Sequence, residues 1–476
     1  MPDLALAAGV LTFLYALFLY DGPRKLYRDS DTGWHIRTGE RILDTTSLPR
    51  TDPYSFSRAG SPWFAWEWGA DVLMGASHRI AGLTGVAFLY LLVLSGCTWL
   101  WFRLHWAAGG DFLLACAMAA PMLTATNLHW LARPHVIGWA LMLVWLLWVE
   151  RVPGEWSWRR ATGVAALGAL WANLHASFFL LPAIALLYVC GALLSRDRQR
   201  ALALGELTLC GAFGTLLNPY GWNLHRHVAA YLTDPDLMER IAEFQSFNFH
   251  AEGATQILLV VAIAGTGAVL AFQQRAFGRA LLLAAMTAVA LRSARGLPVL
   301  ALLLPLANAS ITKALPRYAW LRYSANLRAL EFGFRGYALA PVLAALGFAM
   351  MQSPALTART GFSPDEFPVA AAAEVAGLPE TARILHPDKF GGYLIYAFDA
   401  QRKVFFDGRS DFYGSKFLKD YIDLVQLRPG WREQLRAHGF THALVPTKSS
   451  LAGVLPLTGW REMWRDSTAV LLERAP

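Results

Sequence analysis

Asp29 and Asp31 stand two residues apart in "RDSDTGWHIRTG" (28–39), followed at once by Trp34, His35 and Arg37. Carboxylates in that spacing suit two kinds of chemistry: accepting or orienting a proton, and holding a divalent cation between them. The plain alternative is a helix N-cap, because aspartate there accepts from free backbone N–H groups and meets the positive end of the helix dipole. Glu67 follows among Trp63, Trp66 and Trp68 in "SPWFAWEWGADVL". Burial there raises a carboxyl pKa unless a cation pairs with it, and the plain alternative is a salt bridge to an arginine of the same loop. Farther along come His129, Arg133 and His135 in "TNLHWLARPH", Asn173 and His175 in "WANLHASFF", Asn218 and Tyr220 in "LLNPYGWNLH", and Arg292 and Arg295 in "RSARGLP". The three arginines offer forked donors that match a phosphate group, although an arginine at a span end also snorkels to lipid headgroups.

The elements that must position these residues are apolar. Of 476 residues 55% are hydrophobic and only 16% charged, where a soluble chain carries about a quarter charged. The mean hydropathy is +0.35. Apolar runs near the length that crosses a bilayer recur at about 4–20, 81–102, 111–127, 135–149, 161–174, 177–194, 201–217, 255–272, 279–293, 297–311 and 336–352. The expected fold is therefore an α-helical polytopic membrane protein of about eleven spans. The first run lacks a basic flank and a small-residue cleavage site, so it reads as a retained span. Short arginine-rich loops such as "ERVPGEWSWRR", "SRDRQR", "QQRAFGR" and "TKALPRYAWLRYSANLRALEFGFR" belong inside by the positive-inside rule. They account for the net charge of +8 without a nucleic-acid partner. The N-terminus is then cytoplasmic, and the loop 21–80 and the tail from 353 are extracytoplasmic.

Under that topology all the polar groups above gather toward the outer face. Charge near hydrocarbon is costly and faces a cavity or a partner. "GWHIRTGERILDTT" has helical spacing without a breaker from Trp34 to Leu43, which predicts an amphipathic helix along the membrane surface. Trp63, Trp66 and Trp68 are expected at the bilayer interface. The chain divides into a transmembrane module, 1–352, and a small extracytoplasmic α/β domain, 353–476. In the latter, strand-like runs ("RILH", "GGYLIYAF", "RKVFFDGR", "HALVP", "AVLLER") alternate with helix-like "SKFLKDYIDLVQL" and "GWREQLRAHG". In "FFDGRSDFYG" a turn held by an Asp407–Arg409 pair competes with an acceptor-binding role that includes Asp411. Cys97, Cys116, Cys190 and Cys210 all fall in apolar runs and have no metal-site spacing. No HExxH or CxxC motif is present, so any metal would rest on Asp29 and Asp31; Mg or Mn is an option rather than a requirement.

An acidic motif after the first span, many further spans and a C-terminal α/β domain resemble the GT-C superfamily of membrane glycosyltransferases. The run from Asp31 through Trp34 to Arg37 is similar to the acid, aromatic and arginine spacing after the first span of oligosaccharyltransferase catalytic subunits, although their WWD signature is absent. "LARPHVIGWAL", "LNPYGW" and "KFGGYLIYAFDAQRKVFFDGRSDFYG" are similar to a group of bacterial multi-pass membrane proteins. The resemblance implies an inner-membrane enzyme that moves a sugar from a polyprenyl-phosphate donor to a glycan, lipid or protein acceptor with inversion. It implies Asp31, then Asp29, as the acid that activates the acceptor; Glu67, from its setting among the tryptophans, is a further candidate catalytic carboxyl. Arg133, Arg292 and Arg295 would hold the donor phosphate, and Trp34, His35, Arg37, His135, His175, Asn218 and Tyr220 would line the pocket. A transporter or flippase for a lipid-linked or polar envelope substrate, and a non-catalytic envelope assembly subunit, are the rival readings.

Overall fold

The computed structural model describes residues 3–19, 21–151, 157–316, 319–333 and 336–475. Tyr20, at the end of the first expected span, and residues 152–156, 317–318 and 334–335 of the basic loops lie outside the described residues. Each apolar run of the sequence is helical. In chain order the helices are α1 (Leu4–Phe18), α2 (Asp31–Thr45), α3 (Trp68–Ala108), α4 (Phe112–Asn127), α5 (His135–Val149), α6 (Trp158–Leu174), α7 (Leu180–Leu194) and α8 (Arg198–Thr215). There follow α9 (Trp222–Thr233), α10 (Pro235–Arg240), α11 (Ala254–Gln273), α12 (Phe277–Arg292), α13 (Gly296–Leu302), α14 (Leu304–Ala314), α15 (Ala319–Gly333) and α16 (Ala340–Met351). Among the described residues three helical stretches are long and apolar enough to cross a membrane, Trp68–Ala108, Ala176–Leu194 and Ala254–Gln273, and the bent pair α13–α14 makes a fourth. Leu4–Phe18, Phe112–Asn127, His135–Val149 and Gly336–Met351 are shorter apolar helices.

Polar contacts gather at two opposite ends of this helical layer. At one end the basic loops meet: Arg279 reaches Glu150 and the Ala108 carbonyl, Ser195 donates to the Arg275 carbonyl, and Glu331 caps the first backbone N–H groups of α1. At the other end the loop 21–80 and the tail fold together. Phe56 N–H donates to the Val404 carbonyl at 2.9 Å, Val404 N–H to the Tyr54 carbonyl at 3.0 Å, and Arg37 to the Tyr396 carbonyl at 2.7 and 3.1 Å.

Helix α2 does not lie on a surface. Thr32, Gly33, Trp34, His35, Ile36, Thr38, Gly39 and Ile42 are all buried, because α2 is clasped between the outer part of α3 and a tail helix. Glycines permit the approach: a Cβ on Gly39 would collide with the Asp71 carbonyl, and one on Gly33 with the Gly392 carbonyl. Helix α3 runs past the start of its expected span and breaks at Ala81–Gly82, where Gly82 has φ +58°. Its segment before the break packs on α2. The three tryptophans serve this outer body instead of the bilayer: Trp63 is buried beside Tyr54 and Trp34, Trp66 packs on His227 and Tyr231, and Trp68 Nε1 donates to Asn173 at 2.8 Å.

The tail holds a four-stranded sheet in the order β1–β2–β4–β3. Strand β1 (Ile384–Leu385) runs parallel to β2 (His442–Pro446); β4 (Ala469–Arg474) pairs antiparallel with β2 and with β3 (Trp460–Arg465). "RILH", "HALVP" and "AVLLER" are strands as expected. "GGYLIYAF" is instead part of a helix, Asp388–Ala397, which starts after Pro387 and carries an acid in its first turn. "RKVFFDGR" leaves the sheet and pairs through Val404 with the loop 21–80. Strand β3, "WREMWR", has a mostly charged or exposed face and gave no apolar run to read. The two helix-like runs lie in helices Ser410–Val425 and Trp431–Ala437.

Candidate active site

The acid pair is built at the start of α2. Asp29 Oδ1 accepts the Asp31 N–H at 2.9 Å, so Asp29 does serve the turn that opens the helix, while Ser30 at the N-cap makes no side-chain bond. The remaining oxygens face one guanidinium: Arg133 Nη1 lies 2.7 Å from Asp29 Oδ2 and Nη2 lies 2.8 Å from Asp31 Oδ2. Arg133 is held by its neighbours. Ala132 N–H donates to the Leu26 carbonyl at 2.8 Å and the Thr32 hydroxyl to the Ala132 carbonyl at 3.1 Å, which ties the residue before Arg133 to the residue after Asp31. Asp29 and Arg133 keep about a fifth of their side-chain surface (21% and 19%), whereas Asp31 keeps 7% and lies under Gly408 of the tail. Burial and the neighbouring Asp29 carboxylate push Asp31 up to about 8 against the pull of Arg133. At neutral pH Asp31 is thus held mainly as the uncharged acid beside the Arg133 guanidinium.

Glu67, at the N-terminus of α3, faces imidazoles and not an arginine. Its Oε1 lies 3.4 Å from His175 Nε2 and its Oε2 3.9 Å from His35 Nε2. His175 Nδ1 accepts the Ser177 N–H at 3.1 Å, which assigns the proton to Nε2, pointing at Glu67. His35 Nδ1 lies 2.5 Å from Asp71 Oδ1, and its buried Nε2 has no hydrogen-bond partner among the described residues. Burial raises Glu67 to about 7. Burial and the nearby arginines keep both imidazoles neutral, with His175 lowered to about 3.

Arg295 closes the site from the helical layer. Its Nε binds Glu243 at 2.5 Å and its guanidinium lies over Phe244 at 4.5 Å, while its two terminal nitrogens have no hydrogen-bond partner among the described residues. Burial opposes ionisation of Glu243, but Arg295, Arg133 and His129 outweigh it and hold the carboxyl at about 2. Across from Arg295, His227 Nε2 binds Asp411 of the tail at 2.9 Å, and Trp66 and Tyr231 pack edge-on against each other. The loop 21–80, the ends of the helices and the tail thus meet around these side chains.

No protein-family model matches the chain, and no curated protein is significantly similar to it in sequence. Solved structures are similar in fold. The apo oligosaccharyltransferase of Archaeoglobus fulgidus superposes with a TM-score of 0.53 at 11% identity, over 98% of this chain and 73% of that one. ArnT from Cupriavidus metallidurans, bound to undecaprenyl phosphate, superposes with a TM-score of 0.52 at 15% identity, over 98% and 97%. Both are GT-C glycosyltransferases. The fold is GT-C-like.

Within this GT-C-like fold several residues expected in a pocket act as joints. Arg37 binds the Tyr396 carbonyl, Glu40 and Asp399 and so docks the tail. Asn218 holds its own turn through Tyr220 N–H and the Thr215 and Gly221 carbonyls. Tyr220 accepts the Ala65 N–H at 3.1 Å. Trp34 is buried one turn after Asp31, and His135 binds the His129 carbonyl at 2.9 Å beside His175. Arg292 is exposed at the end of α12. Asp407 and Arg409 do form the internal pair of the turn, and Arg409 also reaches Asp52 of the loop 21–80 at 2.8 Å.

Glu243, Asp71, His227 and Gly408 were not singled out in the sequence. Asp71, four residues after Glu67 on one helix, carried a readable signal; the others share a site only through the tertiary fold. As for Mg or Mn, the donor set does not fit one. The two acids are engaged by Arg133, and among the described residues no group of three or more His, Cys, Asp or Glu side chains converges.

Proposed function

We propose that this protein is a glycosyltransferase that moves a sugar from a polyprenyl-phosphate donor to an extracytoplasmic acceptor, working through about eleven spans with its N-terminus inside. The observation that carries this reading is the grouping, at the end of the apolar helices, of the partly exposed Asp29 carboxylate on Arg133 with Arg295, whose terminal nitrogens have no hydrogen-bond partner among the described residues. A lipid tail stays among those helices while the sugar and the acceptor meet in water. The bound undecaprenyl phosphate of the ArnT structure supports a donor of this class.

The residues divide the work as follows. Asp29, the more exposed of the two acids, takes the proton of the acceptor hydroxyl. That oxygen attacks the anomeric carbon from the face opposite the phosphate, the bond from that carbon to the phosphate oxygen breaks, and its electron pair leaves on the phosphate. The product is inverted. Arg295 binds the phosphate through its terminal nitrogens, with Glu243 and Phe244 fixing the plane of the guanidinium. Asp31 is the buried partner that shares Arg133 with Asp29, a reversal of the order that the family resemblance implies.

The test supplies purified protein with a panel of polyprenyl-phosphate sugars and follows sugar release or transfer. Turnover should fall about 10²–10⁴-fold in Asp29→Asn, the usual contribution of a positioned acid or base. No turnover with any donor, or flux across liposomes without chemistry, rejects the enzyme reading and favours transport.

A further inference from the structure

We propose that Arg133 is the resident cation of the acid pair: its guanidinium occupies the position that a divalent ion would need between Asp29 and Asp31, so the site works without a bound metal. The inference rests on the reading of Asp29 as the reacting carboxylate, and it adds what sets that carboxylate's charge and orientation.

Three features point this way. Each terminal nitrogen of Arg133 meets a different carboxylate at 2.7 and 2.8 Å, so one planar group bridges both acids as a shared ion would. The guanidinium is also fixed. The Thr32 hydroxyl and the Leu26 carbonyl pin Ala132, and Pro134 sets the chain direction into α5, so Arg133 enters from a braced turn and not from a mobile loop. Finally, the coordination space is used up. Asp29 Oδ1 is taken by the Asp31 N–H and Asp31 Oδ1 lies against Gly408. A metal would have to expel Arg133 into a half-buried site and then find further oxygen ligands.

A guanidinium differs from a metal in a way that matters for the proposed step. It brings one positive charge, not two, and it donates hydrogen bonds without withdrawing the lone pairs of the carboxylate into coordination. Asp29 therefore keeps lone pairs free of metal coordination while its orientation is locked. Arg133 is a positioning residue; it does not touch the reacting atoms.

The experiment uses the full-length protein in detergent. Mn²⁺ is titrated in and the free ion followed by electron paramagnetic resonance, and donor turnover is measured with and without EDTA. We expect no stoichiometric Mn²⁺ binding up to about 1 mM, the weak end of oxygen-ligand sites, and turnover unchanged by EDTA. Arg133→Ala should lower turnover about 10²–10³-fold, as deletion of one preorganised charge partner does. Added methylguanidinium should restore part of it, which a merely structural role of the side chain would not allow. Stoichiometric Mn²⁺ binding, EDTA loss reversed by Mg²⁺ or Mn²⁺, or full turnover in Arg133→Ala overturns the proposal. If Arg133→Ala does not fold, the wild-type ion measurements decide. If the wild type shows no turnover at all, the glycosyltransferase reading fails, while Mn²⁺ binding still decides the question of the resident cation.

Discussion

Two places in the outer body put two aspartates on one arginine, and they are built for different ends. Asp52 and Asp407 share Arg409, with every side chain at 1% exposure or less. Tyr413 adds its hydroxyl to Asp407, Ser55 adds its own to Asp52, and the guanidinium lies among the rings of Tyr54, Trp63 and Phe412. Asp29 and Asp31 share Arg133 in the same stoichiometry, yet two of the three partners keep about a fifth of their surface. The first trio is a sealed rivet between the loop 21–80 and the tail. The second is open on the side where a substrate can enter. What separates structure from chemistry here is access, not residue type.

The largest expected contrast comes from breaking each trio once. Arg409→Leu leaves two buried acids without their cation, and removal of one partner from a buried pair costs about 3–5 kcal/mol. Thermal unfolding in detergent should show a large fall and the tail should become protease-sensitive. Asp31→Asn should leave stability near the wild type at neutral pH, since burial already favours the uncharged side chain. The pH dependence gives the sign. The folded-state pKa of Asp31 is raised from 3.8 to about 8, so its contribution to stability is complete below pH 3.8 and is lost as pH rises through 8. Asp31→Asn should flatten that part of the stability profile. Equal destabilisation by the two substitutions would erase the distinction between rivet and site.

Gly408 joins the two trios, being one residue from Asp407 and Arg409 and directly against the Asp31 carboxylate. A Cβ there would overlap Asp31 Oδ1 and Cγ, so Gly408→Ala must displace either the turn or the acid. We expect an overpacking cost of about 1–3 kcal/mol, together with reduced turnover and a smaller loss in thermal stability than Arg409→Leu. A variant with wild-type turnover would show that the tail roofs Asp31 without positioning it.

How much of this was legible follows from how local each signal is. The helices were readable because apolar runs report their own environment, and "HALVP" and "AVLLER" because period and composition agree with a strand. The opening turn of α2 was readable for the same reason, since Asp29 serves its own neighbour Asp31. The sharing of Arg133, by contrast, links residues about a hundred positions apart, and nothing near either end of the pair records it. Trp63, Trp66 and Trp68 misled because an indole suits a bilayer interface and a protein joint equally well. "GGYLIYAF" misled because Gly391 and Gly392, which look like breakers, provide the close approach to Phe406 and Ser30 that seats a helix. Glu67 could be singled out from its aromatic setting, but its partners could not, for His35 and His175 lie on different helical elements.

Those partners make Glu67→Gln the subtlest expected change. As a carboxylic acid Glu67 sets an uncharged group between the two neutral imidazoles, with Oε1 3.4 Å from His175 Nε2 and Oε2 3.9 Å from His35 Nε2. A carboxamide stays uncharged at any pH, whereas the carboxylate is a charge buried between two neutral rings. Folding raises the Glu67 pKa from 4.5 to about 7, so its stabilising share is full below 4.5 and disappears as pH climbs past 7. Glu67→Gln should therefore match the wild type at pH 6 in both turnover and unfolding temperature, and should retain them at pH 8 where the wild type declines. Glu67→Ala, which strands both imidazoles, should cost about 1–3 kcal/mol at either pH. Loss of turnover at pH 6 in Glu67→Gln would instead make Glu67 a group that must ionise, and would place a second carboxylate beside Asp29 in the chemistry.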